Sequence, residues 1–586
     1  MVGLPYDCLS NPLGAVRFAF DKALSSSDSA AALDGKDFGA ADLFLRFLDN
    51  GGLLKVPLLN SKTIKWLQPN TLVRFRGMIQ DMLGNEFYVG AYKDRDVWRT
   101  NKYADVSQSP MGSPSNSQIW ERRLIYCTPV PGQNDWTEPS ASCIHLETLG
   151  KEKRQRDEDA VMEDLSSQTE GFPCPKRMRE GDTATPSSTI HGVPAEGISS
   201  MAMVPSDVDK ENLSCLVKIY DSPESDLKLN DVFEFVGILT FDQDISMEKD
   251  NKDDPENTIC EDLLVDLLPS KVPRIHCLVH RKLAQSDFLP GPVTLEPKPH
   301  LVKPIREALL GHLTTLLGND GVAAQYMLLH LLSRVHARID TVAVGKLALN
   351  LTSLTNESIS VFKNRILCIL KTLLPFTHDV PLTVELLNAG PLAPRKDYDS
   401  NRLLSGPLQL AEGSHLTIDE TQLKAGSLDS TGIDNTRVLK SLLEWQKVDY
   451  DFTYYKVEMP ADVQLLILSE GKSNILPADI VLPFCPSSVD SLGTPNAESL
   501  AAWRWYLATM RSLTHSIEPD MQKVLEDDLV AARQTDRSLG TQDFSRLLTM
   551  GRLLSISFGE TCLSMEHWQM VKELERLRRE RLQGRI

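Results

Sequence analysis

The sequence predicts a multidomain α/β protein: a β-barrel interrupted by a long loop, then an α/β core with a mainly parallel sheet, then a helical C-terminal region. Three observations predict it. Alternating apolar and polar residues begin at Leu72, stop near residue 134 and resume at Cys215. Each half alone has too few strands to be stable, so one interrupted barrel explains them better than two domains. Beyond Pro299 short apolar runs alternate with helical-period segments, as in a sheet flanked by helices. From Ala497 onward only helical periodicity remains.

Taken in order, residues 1–66 mix helical patches such as AADLFLRFLDN with Gly and Ser breaks and read as a small helical region. LVRFRGMIQDM and EFYVGAY alternate and are joined by Leu83, Gly84 and Asn85, a hairpin signal. WERRLIYCTPV from Trp120, CLVKIYD from Cys215 and DVFEFVGILTFD from Asp231 are further strands. The barrel therefore spans 67–133 and 213–297. Residues 134–212 are rich in Pro, Gly, Ser, Thr and charge, bury too little apolar surface to offset ordering, and read as a disordered linker. A second loop, 242–262, holds nine acidic residues against two Lys. KLALNLTSL, SHLTID and DVQLLILS are short buried strands of a core over 298–496. The helical domain covers 497–586, and its last helix starts with Ser564 as N-cap and a Leu563–Trp568 staple. The tail KELERLRRERL pairs Glu575 with Arg579 but opposes Lys572 to Arg576, and reads as a solvated face.

Composition narrows the function. The 586 residues carry a net charge of -18, and an acidic chain repels phosphate unless basic charge is locally concentrated. Ten cysteines include no Cys-x-x-Cys pair, which speaks against a zinc ribbon or redox motif and suits a reducing compartment. His276, Cys277 and His280 look like metal ligands, but RIHCLVH is more simply an alternating strand. MVGLPYDCLS is no signal peptide, and no apolar run approaches the ~20 residues that span a bilayer. The chain reads as soluble and intracellular, with no membrane partner.

The segment LLGNDGVAAQYMLLHLL has the outline of a phosphate-binding loop between a strand and a helix. Gly318, Asn319, Asp320, Gly321, Val322 and Ala323 keep the outline. Ala324 and Gln325 stand where the Lys and the magnesium-binding hydroxyl belong, and neither supplies them. LSGPLQLAEGSHLTIDE ends an apolar run in Asp419 and Glu420, a pair that would hold a magnesium shell at a strand end. Gly471, Lys472 and Ser473 tempt, but a Walker loop needs a Gly where Leu466 stands, so they are coincidence.

Together these segments resemble the AAA+-like ATPase core of minichromosome maintenance helicase subunits. Gly406, Leu408, Leu410, Ala411, Gly413, Ile418, Asp419 and Glu420 match its pattern. The arginine-finger position falls on Pro483, the sensor asparagine is not visible in LILSEGKSN, and the zinc ribbon is missing. Arg546, in a lid-like segment, falls near the second sensor position. LNDVFEFVGIL similarly resembles a strand of oligonucleotide-binding (OB-like) barrels.

With LVRFRGMIQDMLGNEFYVGAY, KVPRIHCLVHRKL, MLLHLLSRVHARID and AARQTDRSLGTQDFSRLL, the chain resembles the minichromosome maintenance complex-binding family, in its plant form. The resemblance implies a nuclear, non-catalytic partner of helicase subunits that promotes assembly or unloading of the complex around S phase and supports sister-chromatid cohesion. Chromatin contact would be indirect. No catalytic residue, cofactor or metal is expected. Lys151, Lys153, Arg154 and Arg156, then Lys176, Arg177 and Arg179, resemble a two-part nuclear import signal for an import receptor. Ser109, Ser113 and Thr185 precede prolines and suit proline-directed kinases. Two rival readings remain. One is an ATPase using Asp419 and Glu420. The other is a single-strand DNA binder stacking bases on Phe75, Phe87 and Tyr88, with Arg74 and Arg76 on phosphates.

Overall fold

The computed structural model describes residues 7–25, 33–94, 97–105, 117–138, 213–221, 226–241, 272–290, 296–353, 356–473, 475–487 and 493–584. Among the described residues, the first helices are α1 (Pro12–Leu24) and α2 (Ala40–Asp49). Asn11 caps α1 by accepting from Gly14 N–H at 3.0 Å, and Pro12 fills the first turn, where no N–H is needed. Ala40, Phe44 and Leu48 recur every four residues and bury one face of α2.

The barrel comprises β1 (Leu72–Asp94), β2 (Val97–Thr100), β3 (Ser117–Thr128), β4 (Cys215–Ile219), β5 (Val232–Thr240) and β6 (Arg274–Lys282). The strands run β1-β3-β4-β6-β5 and close because β5 pairs back onto β1, with β2 flanking β1. Among the described residues the barrel's strand pairings are antiparallel except β4–β6, which is parallel. Alternate residues, among them Val73, Phe75, Val217, Ile219, Phe233, Phe235, Ile275 and Cys277, fill the interior. Leu72, Val236, Ile238 and Leu278 point outward under α1 and α2, so β5 is buried on both faces. The expected hairpin at Leu83–Asn85 is instead one continuous 23-residue strand. Gly84, at φ 95°, takes part in a register shift against β3, one of three in β1 that bend the strand without reversing it. The front half of β1 pairs with β5 and the rear half with β3 and β2.

The boundary at 134 also moves. Asn134 N–H donates to Pro375 O at 2.9 Å, Trp136 Nε1 to Lys371 O at 3.0 Å, and Arg504 stacks over the Trp136 ring at 3.9 Å. An indole that stacks on a guanidinium and donates its N–H is anchored despite polar neighbours. Residues 139–212 lie outside the described residues, as do 242–262.

Helices α3 (Pro299–Leu316) and α4 (Gly321–Leu332) precede a small hairpin, β7 (Ala337–Ile339) and β8 (Val342–Val344), then β9 (Leu349–Thr352) and α5 (Asn356–Leu373). Next come β10 (Thr377–Pro381), α6 (Val384–Ala389), β11 (Arg395–Asp397), β12 (Arg402–Leu404), β13 (His415–Asp419) and α7 (Ser430–Trp445). β14 (Lys447–Asp451), β15 (Lys456–Pro460), β16 (Gln464–Leu468) and β17 (Ile480–Pro483) complete the strands. The main sheet is wholly parallel, ordered β17-β9-β16-β13-β10. A satellite sheet, β12-β11-β14-β15, packs beside it.

Helices α8 (Ala497–Ser512), α9 (Pro519–Thr535), α10 (Thr541–Ser557) and α11 (Met565–Gln583) follow. They do not form a core of their own. Trp503, Tyr506, Met510, Leu553, Trp568 and Val571 share one core with α3, α4, α5 and the sheet residues Leu349, Leu351, Leu466 and Ile480. Ser564 caps α11, accepting from His567 N–H at 3.3 Å. The α11 tail is not merely solvated, because Glu575 and Arg578 are buried. Glu575 collects Arg546, Arg578 and Arg579 within 3.1 Å.

Barrel and core are joined by polar bonds. Gln80 Nε2 donates to Leu403 O at 2.6 Å, Leu403 N–H to Asp81 at 2.8 Å, and Gln409 Nε2 to Gln80 O at 3.0 Å. Among the described residues no helix is long and apolar enough to cross a membrane.

Candidate functional site

In an open parallel sheet, ligands bind beyond the carboxyl ends of the strands where the winding changes direction. Here the chain leaves β9 for the far edge at β10, returns through β13 and β16, and crosses to β17 on the other side of β9. A phosphate loop would follow β9. That connection reads Ser353-Leu354-Thr355-Asn356, without the glycines or the lysine that cradle phosphate.

The Gly318–Gln325 segment, expected between a strand and a helix, instead joins α3 to α4. Gly318 and Asn319 are left-handed, at φ 65° and 63°, and end α3; Asp320 caps α4. The fully buried Asp320 carboxylate accepts from Ala323 N–H at 3.0 Å and Cys485 N–H at 3.0 Å, and from both Arg581 amino groups at 2.7 and 2.8 Å. It thus occupies the anion position at the helix N-terminus. Ala324 is buried in the core, and Gln325 Oε1 meets Arg306 at 3.4 Å. Gly321 starts the helix.

Asp419 does stand at a strand end of the main sheet. Its carboxylate is fully buried, accepts from Lys363 Nζ of α5 at 3.0 Å and from Thr421 N–H at 3.1 Å, and also meets the Thr421 hydroxyl. Lys363 also reaches Asp379 of β10 at 3.3 Å. Burial alone would lower the Lys363 pKa, but the hydrogen bond to Asp419 and the charge of Asp379 leave it raised. Glu420 accepts from the Ser473 hydroxyl at 2.8 Å, and burial raises its pKa. Asp419 and the Asp320 turn lie on the same edge of the sheet. The turn abuts the end of β17, so β9 and β16 separate them, a span on the order of 15 Å.

The other residues of the helicase-like pattern pack. Leu408, Leu410 and Ile418 belong to one apolar core, and Ala411 to the barrel–core junction. Gly413 is left-handed at φ 79°, and its carbonyl accepts from Gln285; a side-chain carbon there would overlap Gln285. Gly406 lies against the Leu392 carbonyl. Pro483 ends β17, and its carbonyl accepts from Arg581 at 3.2 Å. Arg546 turns to Asp543 at 3.0 Å and Glu575 at 3.1 Å. Of the Gly471-Lys472-Ser473 run, Ser473 serves Glu420.

The barrel residues proposed to stack bases are not assembled for that task. Phe75 is inside, and Arg74 and Arg76 face Glu234 at 3.8 and 2.8 Å. Tyr88 packs edge-on against Trp120 and Tyr220, and only Phe87 is exposed. His276 is held by Tyr220 OH at 2.7 Å and Asp105 at 3.1 Å, while Cys277 faces the barrel interior; burial lowers the His276 pKa to about 4. Lys151, Lys153, Arg154, Arg156, Lys176, Arg177 and Arg179 lie outside the described residues, as do Ser109, Ser113 and Thr185. Sequence reasoning missed Lys363 and Arg581. Each sits on an amphipathic helix, where one Lys or Arg among several carries no mark of its partner.

Comparison with known proteins gives one consistent result. Residues 44–582 match the family model described as mini-chromosome maintenance replisome factor. A mini-chromosome maintenance complex-binding protein of Arabidopsis thaliana is 56% identical, covering 99% of this chain and 100% of that protein. Proteins of the same name from Gallus gallus and Homo sapiens are 36% and 33% identical, each with 98% of both chains covered. With its barrel, parallel sheet and closing helices matched nearly end to end, this chain belongs to the mini-chromosome maintenance replisome factor family.

Proposed function

We propose that the chain is a non-catalytic binding partner of the minichromosome maintenance helicase, regulating its assembly or unloading in S phase and supporting sister-chromatid cohesion. The relatives' shared name, complex-binding protein, supports the partner. The observation that carries the non-catalytic part is Lys363 against Asp419: an ammonium stands where metal and phosphate would be met. The order β17-β9-β16-β13-β10 supports a degenerate AAA+-like core, and the five-stranded closed barrel supports an OB-like reading. A body built like a helicase subunit can occupy a subunit interface without turnover. Losing the phosphate-loop lysine removes charge compensation and positioning together.

The test mixes purified chain with purified helicase subunits, with and without ATP, and follows both complex formation and phosphate release. The reading expects ATP-independent binding and no release attributable to this chain. ATP-dependent binding through this chain, or its own steady turnover, overturns it. Nuclear residence through an import receptor is part of the proposal. Replacing Lys153, Arg154, Lys176, Arg177 and Arg179 by Ala should move a fluorescent fusion toward the cytoplasm, and unchanged nuclear accumulation sinks that part.

A further inference from the structure

At the end of β13, two acids and one cation come together. Asp419 ends β13. Asp379 lies on the neighbouring strand β10, opposite Thr417, so Asp379, Thr417 and Asp419 share one face of the sheet. Lys363 Nζ sits 3.0 Å from Asp419 Oδ2 and 3.3 Å from Asp379 Oδ2. The Thr421 hydroxyl meets Asp419 Oδ1. The fully buried Thr417 hydroxyl has no hydrogen-bond partner among the described residues. Two carboxylates with hydroxyls beside them are the oxygen set that a hard divalent cation prefers. What stands between the carboxylates is an ammonium on a four-carbon stem.

We propose that Lys363 is a tethered counter-ion in the place of a divalent metal, neutralising the buried Asp419 carboxylate, with the more exposed Asp379 beside it, so that neither the fold nor partner binding depends on magnesium or nucleotide. This rests on the reading above that the chain turns over no ATP. Asp419 is fully buried while Asp379 is partly open to water, so it is Asp419 that would be strongly destabilising with no cation, because its charge has lost its hydration without compensation. The raised Lys363 pKa agrees with a permanently charged partner. The lysine reaches the edge from α5, whose Phe362, Ile366, Ile369 and Leu370 are anchored in the core, so the charge is held in place by packing.

The experiment replaces Lys363 by Met, which keeps the stem and deletes the charge, and titrates the full chain with Mn2+ followed by electron paramagnetic resonance. The wild type should take no Mn2+ at this edge, and its melting temperature should not move with MgCl2 or EDTA. Lys363→Met should melt lower, gain a Mn2+ site and recover stability as Mn2+ is added. Lys363→Arg should behave as wild type, and Lys363→Met with Asp419→Asn should lose the gained site. If Lys363→Met folds only when Mn2+ is present, the proposal stands. If it takes no Mn2+, fails to fold with or without it, or binds equally after Asp419→Asn, the proposal is overturned. If the wild type itself binds Mg-ATP at this edge, the non-catalytic reading fails instead.

Discussion

Asp320 and Asp419 are both fully buried carboxylates on one edge of the parallel sheet, yet their surroundings differ in kind. Asp320 is saturated by two backbone N–H groups and a bidentate guanidinium. Asp419 receives one threonine and an ammonium that it shares with Asp379. Asp320 is a structural fastening that ties the start of α4 to the C-terminal helix and to the chain beyond β17. Asp419 stands at the carboxyl end of β13 in the parallel sheet. Motif outline and site position have come apart, because the Gly-Asn-Asp-Gly run reads as a loop for phosphate while serving to end one helix and begin the next.

The contrast is broken most severely at Asp320. Asp320→Ala strands the Arg581 guanidinium and removes the cap of α4, a loss of about 3–5 kcal/mol on the scale of a broken buried pair. Chemical denaturation measures it. A loss no larger than that of a surface mutation would show that Arg581 finds water instead, and the distinction between the two acids would go.

Acid comes next. Burial lowers the pKa of His276 and of His330 to about 4, and holds that of His415 well below its ordinary value of 6.5. His330 and His415 meet at 3.1 Å inside the core. In the unfolded chain these rings take up protons below about pH 6.5, whereas the folded chain resists until about pH 4. Their contribution is therefore full above pH 6.5 and is lost as pH falls from 6.5 toward 4. The melting temperature should drop by several degrees between pH 7.5 and pH 5. The same fall should persist in Asp419→Asn, because it arises from histidines and not from the sheet-edge acids. A flat profile over that window would contradict the burial of these rings.

Asp419→Asn itself should cost less than Asp320→Ala, about 1–2 kcal/mol, since Lys363 keeps Asp379 as a partner. A larger cost than at Asp320 would reverse the ranking of the two sites.

How much of this could be read from the sequence depends on how local each signal was. Strand segments such as CLVKI and HLTID carry their period within a few residues, and the cap at Ser564 is one residue wide, so all three were legible. The continuous strand through Gly84 was not, because a bend and a reversal use the same residue types and only the partners of each half distinguish them. Trp136 was hidden for the converse reason: its anchors, Lys371 and Arg504, lie hundreds of residues away. Asp419 was legible as the acid after an apolar run. Its cation was not, for the contact between Lys363 and Asp419 is made by the fold and leaves no spacing in the sequence.

The smallest effect is expected at Glu420, and it bears directly on whether this edge has any working chemistry. Its carboxylate accepts from Ser473, one of its oxygens is buried without a partner among the described residues, and burial raises its pKa. A neutral amide of the same shape keeps an acceptor for the Ser473 hydroxyl and removes the penalty on the charge. Glu420→Gln should therefore change stability by no more than about 1 kcal/mol in either direction. In a hydrolase that polarises water with this residue, the same change would trap bound ATP and alter any nucleotide-dependent assembly. Here Lys363 already answers the neighbouring acid, and the connection after β9 offers phosphate no lysine. Glu420→Gln should capture helicase subunits as the wild type does, with or without ATP. A folded Glu420→Gln chain that loses its partner, or holds it only when ATP is supplied, would mean that this edge still reads nucleotide, and Asp419 would then resemble a catalytic acid more than the fastening at Asp320.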